Sequence, residues 1–169
     1  MNLIDKWKTG GGICPPVAPP RDIMIAWFGG VLAIAAVGYL ANVSGAPLML
    51  GSFGASCVLL FGFPDSPFSQ PRNVIGGHVL ASLIGLVFLA LFGAHWWSMA
   101  LAAGTAIALM MLTRTVHPPA GSNPVIVMLL SPTWAFLLTP TLIGAVVLVL
   151  VALFFNNMPR ERIYPRYWV

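Results

Sequence analysis

The chain has 169 residues, 59% of them apolar and 7% charged, with eight Lys/Arg against four Asp/Glu for a net charge of +4. Soluble domains carry about 25% charged residues, so this inventory excludes a water-facing globule and points to a polytopic membrane protein. The cations flank apolar runs, which makes the basic balance a topology signal and excludes a nucleic-acid surface. Cys14 and Cys57 are far apart, one in a polar tail and one in an apolar run, so neither a disulfide framework nor a metal knuckle is expected.

Residues 1–22 form a polar tail whose "GGGICPPVAPP" reads as a flexible-to-extended tether. The apolar run 23–43 is too long for the core of a signal peptide and suits a retained span. Five more apolar segments follow, at 47–63, 73–93, 96–112, 120–138 and 140–155. Together 23–155 make one transmembrane domain. The second segment contains Gly51, Gly54 and Gly62; the fifth is broken by Pro124 and Pro132. Residues 156–169 form a basic, aromatic tail whose Tyr164, Tyr167 and Trp168 suit the headgroup layer. His95, Trp96 and Trp97 suit the opposite interface.

With six crossings and a cytoplasmic N-terminus, Lys6, Lys8, Arg21, Arg72, Arg114, Arg160, Arg162 and Arg166 all fall inside, as positive-inside topology requires. Re-entrant second and fifth segments would move Arg72 and Arg114 outside, so the charges favour six spans. The first three segments also echo the last three. Pro64 and Pro132 are 68 residues apart, as are Gly76 and Gly144, and the Gly/Ser motifs "GSFGAS" and "AGSN" match at 67. A three-span unit begins and ends on opposite sides, so its copy inserts upside down. The expected fold is therefore an all-α bundle of two inverted three-helix repeats with broken second and fifth helices, a pattern that places a transport site at the repeat interface. Close packing of Gly-bearing helices is the plainer explanation for the glycines.

"TRTVHPPAGSNP" (113–124) holds most of the chemistry. Pro118 and Pro119 end the fourth helix and suit the first turn of the fifth. Free N–H groups at Ala120, Gly121, Ser122 and Asn123 would then face an anion at a positive helix end, flanked by Arg114 and His117. "GSFGAS" would bring a second such end through Ser52, Gly54 and Ser56. Arg72, Asn73 and His78 in "QPRNVIGGH" complete the candidates. Each has a bland alternative: His117, Ser122 and Asn123 as helix caps, Arg114 as a topology signal, Arg72 and Asn73 as a helix start at the headgroups, His78 as a histidine satisfied by a neighbouring helix. No Asp or Glu lies in any apolar segment, which argues against a cation path or carboxylate relay. The scattered histidines offer no metal site, and no catalytic constellation or cofactor is expected.

These motifs resemble the HPP family of integral membrane proteins. The resemblance rests on "TRTVHPPAGSNP", "LGSFGASCVLLF" and "SPFSQPRNVIGGHVL" in that order. It carries over to His117, Pro118, Pro119 and Gly121, and to Gly51, Ser52, Gly54, Ser56, Pro71, Arg72, Asn73, Gly76, Gly77 and His78. The family is usually described with four transmembrane helices, against six segments here. Chloroplast and cyanobacterial members are associated with nitrite transport, and some bacterial members carry a C-terminal CBS domain, for which this chain ends too early. The resemblance implies anion transport and leaves the anion open among nitrite, nitrate, formate and bicarbonate; a transporter or channel for a small monovalent anion is expected, with nitrite favoured. A homo-oligomer in the bacterial inner membrane is expected, with both termini cytoplasmic and partners limited to the anion and the bilayer. A non-transporting scaffold or sensor is the alternative; an enzyme is not expected.

Overall fold

The computed structural model describes residues 4–5, 12–159 and 162–168. Lys6, Lys8, Arg160 and Glu161 lie outside the described residues. Within them the fold is all helical, without strands. Helix α1 (Pro20–Ser44) starts on a proline and ends at Gly45, whose φ of 67° is the left-handed stop that glycine favours. Residues 45–50 are non-helical. Helix α2 runs over Ser52–Cys57 and continues as a wider π turn over Val58–Gly62. Helices α3 (Pro71–Phe92) and α4 (Trp96–Leu112) follow, then a tight turn over Pro118–Ser122 and the short α5 (Asn123–Leu130). Helix α6 (Ile143–Asn156) closes the bundle.

Three stretches are long and apolar enough to cross a bilayer: Pro20–Ser44, Pro71–Phe92 and Trp134–Asn156. The 17 residues of α4 are at the short end of the range for a spanning helix. The second and fifth segments are helical over only part of their expected length. At 1.5 Å per residue α2 with its π turn reaches about 16 Å and α5 about 12 Å, against a hydrocarbon core of about 30 Å. Four longer helices and two short ones thus reconcile the family's usual count with the six segments. The break in the fifth segment is at Ser131, which turns to φ 45° ahead of Pro132. Pro124, expected to interrupt the helix, instead sits in its first turn, where a missing N–H costs no hydrogen bond.

The two halves make equivalent contacts. Helix α3 lies along α4 as α6 lies along α1, and α2 packs on α1 as α5 packs on α4. Large rings close the core where helices lack a side chain: a Cβ on Gly29 would overlap the Phe61 ring, and one on Gly144 the Phe53 ring.

The basic stretches gather at one end. Arg72 Nη2 donates to the Thr113 carbonyl at 2.9 Å, Arg162 pairs with Asp22 at 2.8 Å, and Arg166 pairs with Asp65 at 2.7 Å. The start of α1, the 63–70 loop, the end of α4 and the C-terminal tail therefore share a face, and α4 begins at the other one. The C-terminal tail differs from a simple headgroup anchor. Tyr164 is buried, and its hydroxyl donates to the Ser69 carbonyl at 2.8 Å. The Arg166 amide donates to Gln70 Oε1, and the Tyr167 hydroxyl reaches the Pro67 carbonyl and Asn73 Oδ1. Tyr167 and Trp168, both exposed, keep the expected character. Burial pushes the Tyr164 phenol above its ordinary range. Its contribution is thus complete below the unfolded value of about 10 and is lost as pH rises past it. Tyr164→Phe should cost about 1 kcal/mol by loss of a buried hydrogen bond and remove that alkaline dependence. Thermal unfolding followed across the alkaline range checks both.

Candidate functional site

The site begins with helix geometry. His78 and Ser82, four residues apart, share one face of α3. Their depths below Pro71 at the basic end are about 10 and 16 Å along the axis. Ser52 and Ser56 are likewise four apart on α2. The loop after α4 brings His117 against α3, and the start of α5 brings Asn123. His78, His117, Ser56, Asn123, Ser82 and Thr141 are all 0% exposed, and Ser52 is 4% exposed.

Gly77 makes the approach of His117 possible. A Cβ there would stand 2.8 Å from both His117 Cβ and the Thr115 carbonyl oxygen. Gly76 packs in the same way on Thr115. Gly77→Val should displace the His117 segment and cost about 1–3 kcal/mol through overpacking. Denaturant unfolding measures that cost, and a cysteine placed at Thr115 should become more accessible to a thiol reagent.

The hydrogen bonds fix a direction. His117 Nδ1 lies 2.7 Å from the Phe68 carbonyl oxygen, an acceptor, so this nitrogen carries the proton. His117 Nε2 is then an acceptor and takes the Ser56 hydroxyl at 2.8 Å. Asn123 Nδ2 donates to His78 Nδ1 at 3.0 Å, so His78 carries its proton on Nε2 and donates it to Ser56 Oγ at 2.9 Å. One chain of donors thus runs from Asn123 through His78, Ser56 and His117 to Phe68. Asn123 Nδ2 also donates to Ser82 Oγ at 2.9 Å, while its Oδ1 accepts from Ser52 Oγ at 2.8 Å. Thr141 Oγ1 donates to Ser82 Oγ at 3.1 Å, extending the polar column to mid-depth. The Phe53 and His78 rings meet edge-on at 5.2 Å, and His78 and His117 at 5.0 Å.

The column therefore unites His117, His78, Ser56, Ser52 and Asn123 of the residues expected from sequence. Asn73 borders it, donating to the Val116 carbonyl at 2.9 Å. Arg72 stays at the basic end on Thr113, its buried Nε without a hydrogen-bond partner among the described residues. Arg114 is exposed at φ 58° and is not among the column's hydrogen-bonding partners. Ser122 is exposed and donates to the Pro119 carbonyl. Gly51, just ahead of α2, and Gly54 on it are exposed, and Gly54 lines a groove of about 400 Å³ with Ala26, Gly30 and Cys57. A Cβ on Gly121 would meet nothing. Pro71 starts α3, and Pro118 and Pro119 start the tight turn, as their rings favour.

The expected cradle of free amides takes another form. Ala120 N–H donates to the His117 carbonyl, and Asn123 N–H to the Ala120 carbonyl. The tight turn consumes these amide donors, and the convergent polar groups are side chains instead. Ser82, Thr141 and the Phe68 carbonyl escaped the sequence reading. Ser82 was signalled by its four-residue spacing from His78; the backbone oxygen had no signal. His95 caps α4 with Ser98 and stacks on Trp97, as suits an interface. Cys57 is a buried free thiol beside α1.

The family model for the HPP transmembrane region matches residues 15–165. The chain belongs to this family. It is also similar to two transmembrane proteins of Dictyostelium discoideum, at 38% and 37% identity over 99% of its length. It spans 64% and 58% of those relatives, so about three fifths of their length. No solved structure gives a significant match.

Proposed function

We propose that the protein moves a small monovalent anion across a membrane as a transporter or channel, with nitrite the favoured substrate. The observation that carries this reading is the buried His78–Ser56–His117–Asn123 column, assembled where two interrupted helices meet α3. Intramembrane polar groups are costly to bury and mark pathways, and interrupted helices at a repeat interface mark binding sites. The groups suit an anion: the hydroxyls of Ser52, Ser56, Ser82 and Thr141, one amide and two imidazoles supply donors, and no carboxylate lies in the apolar segments. The family association with nitrite supplies the choice of anion. As it stands the column is closed, so it corresponds to an occluded state. Access from the basic end requires the 63–70 loop and the C-terminal tail to part.

The cations gathered at that end support a cytoplasmic placement for it by positive-inside topology, and a bacterial inner membrane is the proposed location. The outer faces of α1 expose Trp27, Phe28 and Val31, which suits lipid or a second protomer in a homo-oligomer. The chemistry is transport without a cofactor or catalysis. A second reading, a non-transporting scaffold or sensor, is favoured by one fact: every polar side chain of the column is already hydrogen bonded. Nitrite uptake into liposomes containing the purified protein separates the two. Uptake well above protein-free liposomes supports transport, and equal uptake supports the scaffold.

A further inference from the structure

An anion inside the hydrocarbon needs a compensating charge, because an isolated ion there is strongly disfavoured. The column itself contains no fixed cation. Arg72 is about 9 Å along α3 from His78 and bonded to the Thr113 carbonyl, and Arg114 is exposed. The remaining source of positive charge in the column is a proton on a histidine, and its two histidines are not equivalent.

Protonating His78 would set a new Nδ1–H against the Asn123 Nδ2 donor at 3.0 Å. Turning the Asn123 amide to relieve that contact would disturb the bonds to Ser52 and Ser82. His117 has no such conflict. Its Nδ1 already donates to the Phe68 carbonyl, and its Nε2 faces the Ser56 oxygen. A second acceptor for the Ser56 hydroxyl stands ready, the Ser52 carbonyl at 3.2 Å. Ser56 can turn its proton to Ser52 and accept from His117 Nε2–H, leaving both imidazolium N–H groups bonded to oxygen.

We infer that the protein carries its anion together with one proton, bound on His117 Nε2, and that the Ser56 hydroxyl is the switch between the empty and the proton-bearing site. This rests on the anion-transport reading. One proton from water forms one N–H bond on His117, and one anion enters beside it. The pair crosses without net charge, and both leave on the far side, regenerating neutral His117. The titratable or charged side chains on the elements packed around His117 are His78 and Arg72 on α3, Cys57 on α2, Asp65 in the 63–70 loop, Arg114 on its own segment, and Arg162, Tyr164, Arg166 and Tyr167 of the C-terminal tail. Asp65 pairs with Arg166, Tyr164 with Ser69, and Tyr167 with Pro67 and Asn73. His78 is the titratable ring in direct contact with His117.

The test uses the full chain in liposomes enclosing a pH-reporting dye, with an inward nitrite gradient and a potential set by potassium and valinomycin. Protein-free liposomes give the background from nitrous acid diffusing through lipid. The expected result above background is luminal acidification by one proton per nitrite, at a rate insensitive to the imposed potential. Nitrite uptake that follows the potential without acidification overturns proton coupling and leaves anion transport standing. Uptake no greater than background overturns anion transport, and the coupling with it. His117→Arg provides a fixed charge in place of the proton: nitrite that still enters through it should do so without acidification. Acidification retained at one proton per nitrite in that variant overturns the assignment to His117.

Discussion

Asn123→Leu should lower the unfolding free energy by about 3–5 kcal/mol, the sum of several buried polar groups losing their partners. Asn123 joins three elements at once. Its amide nitrogen holds His78 Nδ1 and Ser82 Oγ, and its oxygen holds Ser52 Oγ. Leucine is close in size and fills the space, so the loss reports hydrogen bonding more than a cavity. Asn123→Asp keeps the acceptor for Ser52 but puts a carboxylate in a buried site, and should be nearly as costly at neutral pH. Thermal unfolding in detergent, followed by tryptophan fluorescence, measures both. A change below about 1 kcal/mol for Leu would mean that the network contributes little to the fold.

His117→Ala should reduce nitrite uptake by about ten- to a hundredfold, the equivalent of about 1.4–2.7 kcal/mol in the barrier. The side chain is fully buried, and its removal also leaves the Phe68 carbonyl and Ser56 without a partner. Some loss of stability accompanies it, so uptake must be normalised to folded protein. His117→Gln separates the effects. Its amide can donate to Phe68 and accept from Ser56, which should hold the fold within about 1 kcal/mol. It cannot bind a proton near neutral pH, so uptake should still fall. Folded His117→Gln protein with undiminished uptake would assign the ring a purely structural part.

The long apolar runs were legible because nothing but a helix satisfies every backbone group in lipid. Trp96–Leu112 has the expected boundaries, and α1 and α3 differ from theirs by a few residues at their ends. The interrupted segments were legible as interrupted, but not in detail. Proline at position 124 reads equally as a breaker or a starter, and the tertiary contact of Gly85 with the Pro124 backbone has no local signature. The histidine column was half legible. "HPP" and "GSFGAS" flagged His117, Ser52 and Ser56, yet nothing in local spacing says that Ser56 bridges two histidines 39 residues apart in the chain. The free-amide cradle takes another form for a physical reason: the tight turn uses its own carbonyls as acceptors for the Ala120 and Asn123 amides. The tail was misread because Tyr164 suits an interfacial belt and a buried hydrogen bond equally well.

Histidine ¹⁵N NMR of the full chain, with and without nitrite, tests most directly whether the anion meets the column. The chain has three histidines, and exposed His95 at the far end serves as an internal reference. Without nitrite, His117 should be protonated on Nδ1 and His78 on Nε2. Added nitrite should shift both buried rings, bring His117 toward its doubly protonated form, and leave His95 unmoved. Nitrite that moves only His95, or none of the three, would contradict a substrate site between His78 and His117.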